Sequence, residues 1–292
     1  MDKRLGGTQR FVIDGEVEMQ KAGKSDRGQY IIHSVKKAMR VVKVMVSSPE
    51  PLSVSQIATE AGINKSVCHK ILITLCEDGI VGQTKTGSYR PGLGLIQLGQ
   101  LAMSHLAVFS IARDSLENVT NTTGESTALY VETGGEMVCY VKSDSPLMIR
   151  HYVALGRPIP LYAGAAGKIF LAAYTPDQLD EYLRTKQLAP IGSQTITDPA
   201  RLKAELEAIR INGIAWSTME TTTDAIALAA PIRNKNGSII ATISVAGPIE
   251  RFSVEKEPVW LDAMNKASSD ISSAFGFSGN EKDAKWALER FE

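Results

Sequence analysis

The stretch from Ile32 to Pro91 constrains the fold most tightly, because it sets out three short helices with clear stops and then abandons helical periodicity. Ile32, Val35, Ala38, Met39, Val41, Val42, Val44 and Met45 recur at helical spacing opposite Lys36, Lys37, Arg40 and Lys43, and Ser47-Ser48-Pro49-Glu50-Pro51 stops that helix. Ser53 opens a second helix as its N-cap, Gln56 completes a capping box and Gly62 closes it. Asn64 caps a third helix over 65–78, ended by Gly79. Ile80-Val81-Gly82-Gln83 and Tyr89-Arg90-Pro91, joined by a Thr-Lys-Thr-Gly-Ser turn, then read as a two-stranded hairpin. Helix, helix, turn, helix, hairpin is the order of a winged helix-turn-helix, which assigns 30–92 to one small domain. Residues 1–29 mix charges with glycines and isolated apolar residues, so they predict an arm that buries little.

From 92 to about 116 the apolar residues keep helical spacing, and 93–106 is assigned as a linker helix. A two-stranded hairpin cannot cover Leu95, Leu98, Leu101 and Ala102 together, so these are expected to dimerise the chain, as a homodimer or a dimer of dimers. Residues 107–277 form a second domain. Its extended candidates are 126–133, 136–143, 147–153, 214–219, 226–233 and 238–246; helices are expected near 164–174, 176–184, 199–212 and 255–274. The turns Thr133-Gly134-Gly135 and Asn234-Lys235-Asn236-Gly237 suit hairpins, since Gly and Asn accept positive φ. Hairpins with helices grouped between them predict an antiparallel sheet with helices packed on it, an α+β domain and not a βαβ nucleotide fold. Residues 278–292 are left as a C-terminal tail.

The third helix carries the first candidate site. Val67, Cys68, Ile71, Leu72 and Leu75 form its inward stripe, which leaves Lys65, Ser66, His69, Lys70, Ile73 and Thr74 on the outer face, with no acidic residue before Glu77. Short hydroxyls and cations in that pattern suit phosphates and base edges of a major groove. On an isolated helix such a face is more readily a solvated surface; the turn before it and the hairpin after it, with Lys85, Thr86, Tyr89 and Arg90, favour double-stranded DNA. Charge agrees, for residues 1–110 carry 14 Lys and Arg against 9 Asp and Glu, and the remaining residues 18 against 23. Cys68, Cys76 and Cys139 offer no even disulfide framework, no C-x-x-C and no zinc-finger spacing, which predicts a reducing compartment and no metal. No stretch resembles a signal peptide or reaches the roughly 20 apolar residues of a membrane span. A cytoplasmic protein without a membrane partner is expected.

The run PLSVSQIATEAGINKSVCHKILITLCEDGIVGQTKTGSYRPGLGLIQLG closely resembles the DNA-binding domain of the IclR family of bacterial transcriptional regulators. GRPIPLYAGAAGKIFLA, TITDPARLKAELEAIRINGIA, IALAAPI and ISVAGP follow in family order and spacing, so the resemblance covers roughly 30–277. It implies a winged-helix domain, a linker helix used in dimerisation and an effector-binding domain with a GAF-like sheet. Two-fold symmetry would then require an operator of inverted half-sites.

Ala163-Gly164-Ala165-Ala166-Gly167-Lys168 is rich in small residues and opens a helix, but it lacks the phosphate-loop spacing, and Ile169 stands where a metal-binding hydroxyl would be. Two readings of it stay open: a helix start whose N–H groups bind a carboxylate, or small residues that only permit close packing. The resemblance implies that small effectors bind between this helix start and the sheet. The implied lining is Met148 and His151 on the third strand, Ala165 and Ala166, Ser217, Ala225 and Ala227, and Ser244 and Ala246. The chain departs from the family at Ser217, where Asp is frequent, at Ala227, where Cys is frequent, and at Ala246, where a second Ser is frequent. Each departure removes volume or polarity, so an aromatic or other bulky organic acid is expected in place of a two- or three-carbon acid. An enzyme is the first rival reading and a sensor domain without DNA binding the second. Only His33, His69, His105 and His151 are present, and no nucleophile–base or metal-ligand spacing surrounds the last, so no catalytic residue, enzymatic activity or cofactor is expected.

Overall fold

The computed structural model describes residues 31–104, 107–279 and 284–289. The expected arm over 1–29 lies outside the described residues, as do positions 105 and 106 at the end of the expected linker. The chain divides into two compact units, 1–101 and 102–292. Among the described residues no helix is long and apolar enough to cross a membrane.

The first unit contains α1 (His33–Ser47), α2 (Val54–Ala61), α3 (Lys65–Glu77), β1 (Val81–Gln83), β2 (Tyr89–Pro91) and the start of α4 (Leu93–Ser104). The expected caps form. The Ser53 hydroxyl accepts from the Gln56 N–H while the Gln56 side chain accepts from the Ser53 N–H, and Asn64 Oδ1 accepts from the Ser66 N–H at 2.9 Å. Gly62 ends α2 in the left-handed region at φ +63°, where a Cβ would be strained. Val41, Met45, Ile57, Cys68, Leu72 and Val81 make the core. The apolar face of α1 is buried only in part: Val41, Val42 and Met45 enter the core, but Ile32, Val35 and Met39 are exposed, because only the C-terminal half of α1 has partners in so small a core. One expectation needs correction. Tyr89, expected on the DNA backbone, is 3% exposed. It exchanges two backbone hydrogen bonds with Leu52, and that pairing turns its ring into the core.

The second unit is built on a six-stranded sheet in the order β5-β4-β3-β8-β7-β6, every neighbouring pair antiparallel. Its elements are α5 (Ala107–Thr123), β3 (Ser126–Thr133), β4 (Glu136–Ser143), β5 (Pro158–Pro160), α6 (Ala165–Ala172), α7 (Pro176–Thr185), α8 (Pro199–Asn212), β6 (Ala215–Thr218), β7 (Ala225–Arg233), β8 (Ile239–Pro248) and α9 (Glu257–Ala274). Strand alternation divides the core in two. Leu129, Val131, Leu228, Ala230, Ile243 and Val245 face Leu116 of α5 and Trp260 and Met264 of α9. Ala128, Tyr130 and Ala229 face the opposite way, onto α6, α7 and α8. Because both faces of the central strands are covered, β8 reads as a nearly continuous apolar run.

The strand expected over 147–153 does not form; 144–157 is irregular, and the edge of β4 is taken instead by β5. Leu147, Met148 and Ile149 are consecutive apolar residues, so this segment lacks the alternation that a strand with one buried face needs. It is held by side chains. Arg251 donates to the Ile149 carbonyl at 2.7 Å and forms a two-point pair with the buried Glu125, at 2.7 and 2.6 Å. The tail is partly built into the sheet: Ile239 donates to Ala287, and Glu289 donates to Ile239, along the part of β8 beyond its last pair with β3 at Thr242. Arg233 seals this join by donating to the Gly237 and Lys285 carbonyls under the Trp286 ring.

Candidate functional site

The outer face of α3 emerges as read. Lys65, Ser66, His69, Lys70, Ile73 and Thr74 are exposed, whereas Cys68 and Leu72 are buried and Val67, Ile71 and Leu75 half-buried. No ion pair engages Lys65 or Lys70 among the described residues. The Ser66 hydroxyl donates to Asn64 Oδ1 at 2.8 Å, and that of Thr74 to the Lys70 carbonyl at 3.0 Å, so both keep lone pairs available outward. Lys85, Thr86 and Arg90 are exposed on the hairpin, where Thr84 and Thr86 share a hydrogen bond of 2.9 Å across the turn. With Tyr89 withdrawn, the surface keeps cations at both ends and hydroxyls between them. It can neutralise phosphates and read base edges.

The second site is a cavity of about 560 Å³ in the second unit, between the sheet, the start of α6 and the 144–157 segment. The register across β6, β7 and β8 pairs Ser217 with Ala227 and Ala227 with Ala246, and this row of small side chains leaves the floor open. Eight residues implied by the resemblance line it: His151, Ala165, Ala166, Ser217, Ala225, Ala227, Ser244 and Ala246. Met148 does not. It is 95% exposed, because an irregular segment has no alternation to turn it inward, and Ile149, Arg150, His151 and Tyr152 line the cavity in its place. Sequence reasoning also missed Tyr130, Arg157, Thr221 and Asp224. Tyr130 had a usable signal, since it shares the inward side of β3 with Ala128; the two arginines had none, for loop residues carry no period.

At the start of α6 the two open readings divide between residues. A Cβ on Gly167 would lie 2.4 Å from the Leu161 carbonyl oxygen, so glycine there is a packing requirement. Ala165 and Ala166 border the cavity, and the N-cap residue, a glycine, has no side chain to cap the N–H groups that follow it. Gly164, at φ +86°, donates its N–H to the buried Glu220 at 3.1 Å. The other oxygen of Glu220 accepts from Lys168, whose buried ammonium also donates to Glu205 and to the Trp216 carbonyl. All three ammonium protons are thereby used, so Lys168 fastens the helix start to the loop before β7 and is not available to a ligand.

His151 is held below the ordinary imidazole value by burial, with Asp224 pulling weakly the other way, so it stands neutral at pH 7. It can donate one hydrogen bond and accept another. The exposed Arg150 and Arg157 add two cations to the lining and Asp224 one anion. The cavity therefore combines an apolar floor with several donors, a balance suited to an organic anion.

Residues 34–85 match the family described as the IclR helix-turn-helix domain, and residues 100–273 match the one described as bacterial transcriptional regulator IclR C-terminal. Over 245 residues the chain is 30% identical to the HTH-type transcriptional regulator KipR of Bacillus subtilis, a likeness covering 84% of this chain and 98% of that protein. The crystal structure of Thermotoga maritima IclR superposes with a TM-score of 0.69 at 32% identity, covering 84% of this chain and 99% of the other. An IclR homologue from Microbacterium hydrocarbonoxydans, crystallised in complex with 4-hydroxybenzoate, shares the fold with a TM-score of 0.76 at 23% identity, covering 83% and 99%.

Proposed function

The chain belongs to the IclR family of DNA-binding transcriptional regulators, and on that premise we propose that an aromatic or comparably bulky organic acid, bound in the second unit, controls its hold on an operator of inverted half-sites. The genes so controlled would serve the breakdown of that acid. Lys65, Ser66, His69, Lys70 and Thr74 enter the major groove, and Lys85, Thr86 and Arg90 meet the sugar-phosphate backbone. The exposed Leu98, Leu101 and Ala102 of α4, with the half-buried Leu95, form the contact between copies.

The size of the cavity carries the ligand assignment. At about 560 Å³ it lies within the range of roughly 300–1,000 Å³ typical of drug-sized ligands, and a two-carbon acid would leave most of it to water. The acid group meets the first amides of α6, His151, and the guanidinium of Arg150 or Arg157. The 4-hydroxybenzoate complex of the Microbacterium protein supports the reading to the extent that this fold can enclose a carboxylated ring.

Thermal-shift screening of the full chain tests the ligand class. Aromatic acids should raise the unfolding temperature at lower concentration than glyoxylate, pyruvate or a sugar, and the reverse order defeats the assignment. Footprinting of the DNA upstream of the chain's own coding sequence tests the operator, where protection with a dyad is expected. Protection that weakens steeply with salt also separates this reading from a sensor that has no DNA partner.

A further inference from the structure

Three hydroxyls stand on the sheet wall of the cavity: Tyr130 of β3, Ser217 of β6 and Ser244 of β8. These residues are 7%, 6% and 7% exposed, and among the described residues none of the three hydroxyls has a hydrogen-bond partner. The buried oxygens sealed off from any partner belong to Tyr182, Thr222 and Thr242, so these three instead open into the cavity. Buried polar groups are as a rule satisfied, and a set that is unpaired only toward an internal space marks where a ligand's own polar atoms belong.

The surroundings say which kind of polar atom. The strands that line the cavity contribute no cation of their own: Arg150 and Arg157, with the neutral His151, belong to 150–157, and the α6 amides lie on the helix side. Lys168 is consumed by its carboxylates. The strands otherwise line the cavity with apolar residues, Met137, Ile159, Ala225, Ala227 and Ala246 among them, too apolar to solvate a second full charge. Tyr130 ionises only far above its ordinary range because of burial, so it remains a neutral donor and acceptor at every physiological pH.

We propose that Tyr130 is a specificity-determining residue of the effector cavity, selecting an acid that carries a second, uncharged hydroxyl over the same acid without it, with Ser217 and Ser244 completing the hydrogen-bonding wall. This rests on the acid reading above and adds the other end of the ligand. A site that hydrogen-bonds a ligand hydroxyl discriminates against the analogue lacking it, because the site's own polar group then loses its water without gaining a partner.

Calorimetric titration of the full chain with benzoate, 3-hydroxybenzoate and 4-hydroxybenzoate is the test, repeated on Tyr130→Phe. The better hydroxybenzoate should bind the unmodified protein at least about tenfold more tightly than benzoate, a difference of about 1.4 kcal/mol. Tyr130→Phe should bring that ratio to within about twofold of unity by weakening the hydroxybenzoate while binding benzoate as tightly as before or more so, a pattern that loss of structure would not produce. Its unfolding temperature should not fall, since the hydroxyl holds no protein partner. Equal binding of benzoate and both hydroxybenzoates overturns the role of Tyr130 and leaves the acid reading standing, as does a preference that survives Tyr130→Phe. Failure of all three acids to bind at millimolar concentration overturns both.

Discussion

Lys70 and Tyr89 lie in one small domain, yet substitution should affect them in opposite ways. Lys70 is exposed on α3 with no anion beside it, so Lys70→Gln removes one groove cation from each of two half-sites and should flatten the slope of log K against log salt by up to about 1.8. Tyr89→Phe should leave that slope unchanged, because the ring is in the core; gel-shift titrations from low to moderate salt check both variants. His151 gives a pH prediction. Burial lowers its folded-state pKa beneath the unfolded value of about 6.5, so the unfolded chain binds the proton more readily. The corresponding stability is present above pH 6.5 and lost as the pH falls through the lowered value. Unfolding temperatures measured from pH 7.5 to 5 should fall more for the native chain than for His151→Gln. Ala227, Ser244 and Ala246 of the floor were readable because they sit in motifs, whereas His151, assigned to the same expected strand as Met148, lines the cavity from an irregular segment. Met148 was misread because the resemblance was carried onto a strand that does not form, and a segment without a sheet partner has no period of two to turn a side chain inward. Tyr89 was misread for the opposite reason: its chemistry suited a phosphate, but its place opposite Leu52 turns it inward.

At the level of elements, helix ends were read well wherever a local chemical rule decided them. The Ser53 and Asn64 caps and Gly62 at the end of α2 all act within one turn of chain, and all three appear. Contacts between distant segments were not readable. Gly92 illustrates this: a Cβ there would lie 2.2 Å from the Gly79 carbonyl oxygen, because the chain entering α4 crosses the turn after α3. Gly92→Ala should therefore destabilise the first unit by about 1–3 kcal/mol, visible as a lower denaturant midpoint with an unchanged slope. The tail is a second case. Deleting residues from 284 onward takes from the buried Arg233 both the Lys285 carbonyl and the Trp286 ring, and uncovers the start of β8. A cation already lowered to about 10 by burial would lose its acceptors, and a loss of about 1–3 kcal/mol is expected. At about 2–4 °C per kcal/mol for a unit of this size, calorimetry of the truncated chain resolves it.

For the whole molecule, the assembly proposed above rests on α4. Leu93, Ile96, Leu98 and Leu101 are exposed on a helix whose sequence is apolar on nearly every side, and a helix of that kind is stable in water only when covered. Sedimentation at micromolar concentration should show a dimer or larger species, and Leu98→Glu should convert it to monomer. A single half-site contact would then replace two joined ones, so operator affinity should fall far more than contact loss at α4 alone explains, because linked sites gain from effective concentration. The same variant bears on signalling. An acid in the second unit alters DNA affinity only in so far as it binds two arrangements of the assembly unequally. Coupling of about 1–3 kcal/mol, typical of allosteric proteins, corresponds to a shift of about 5- to 150-fold in operator affinity. Reciprocity requires operator DNA to shift acid affinity by the same factor and in the same sense, whether the chain activates or represses. Titrating the acid with and without saturating operator DNA measures that factor directly. In Leu98→Glu the acid should still bind, since the cavity is built within one chain, and the factor should collapse toward one if the two arrangements belong to the dimer. A coupling that persists undiminished in the monomer would place the switch inside the single chain instead.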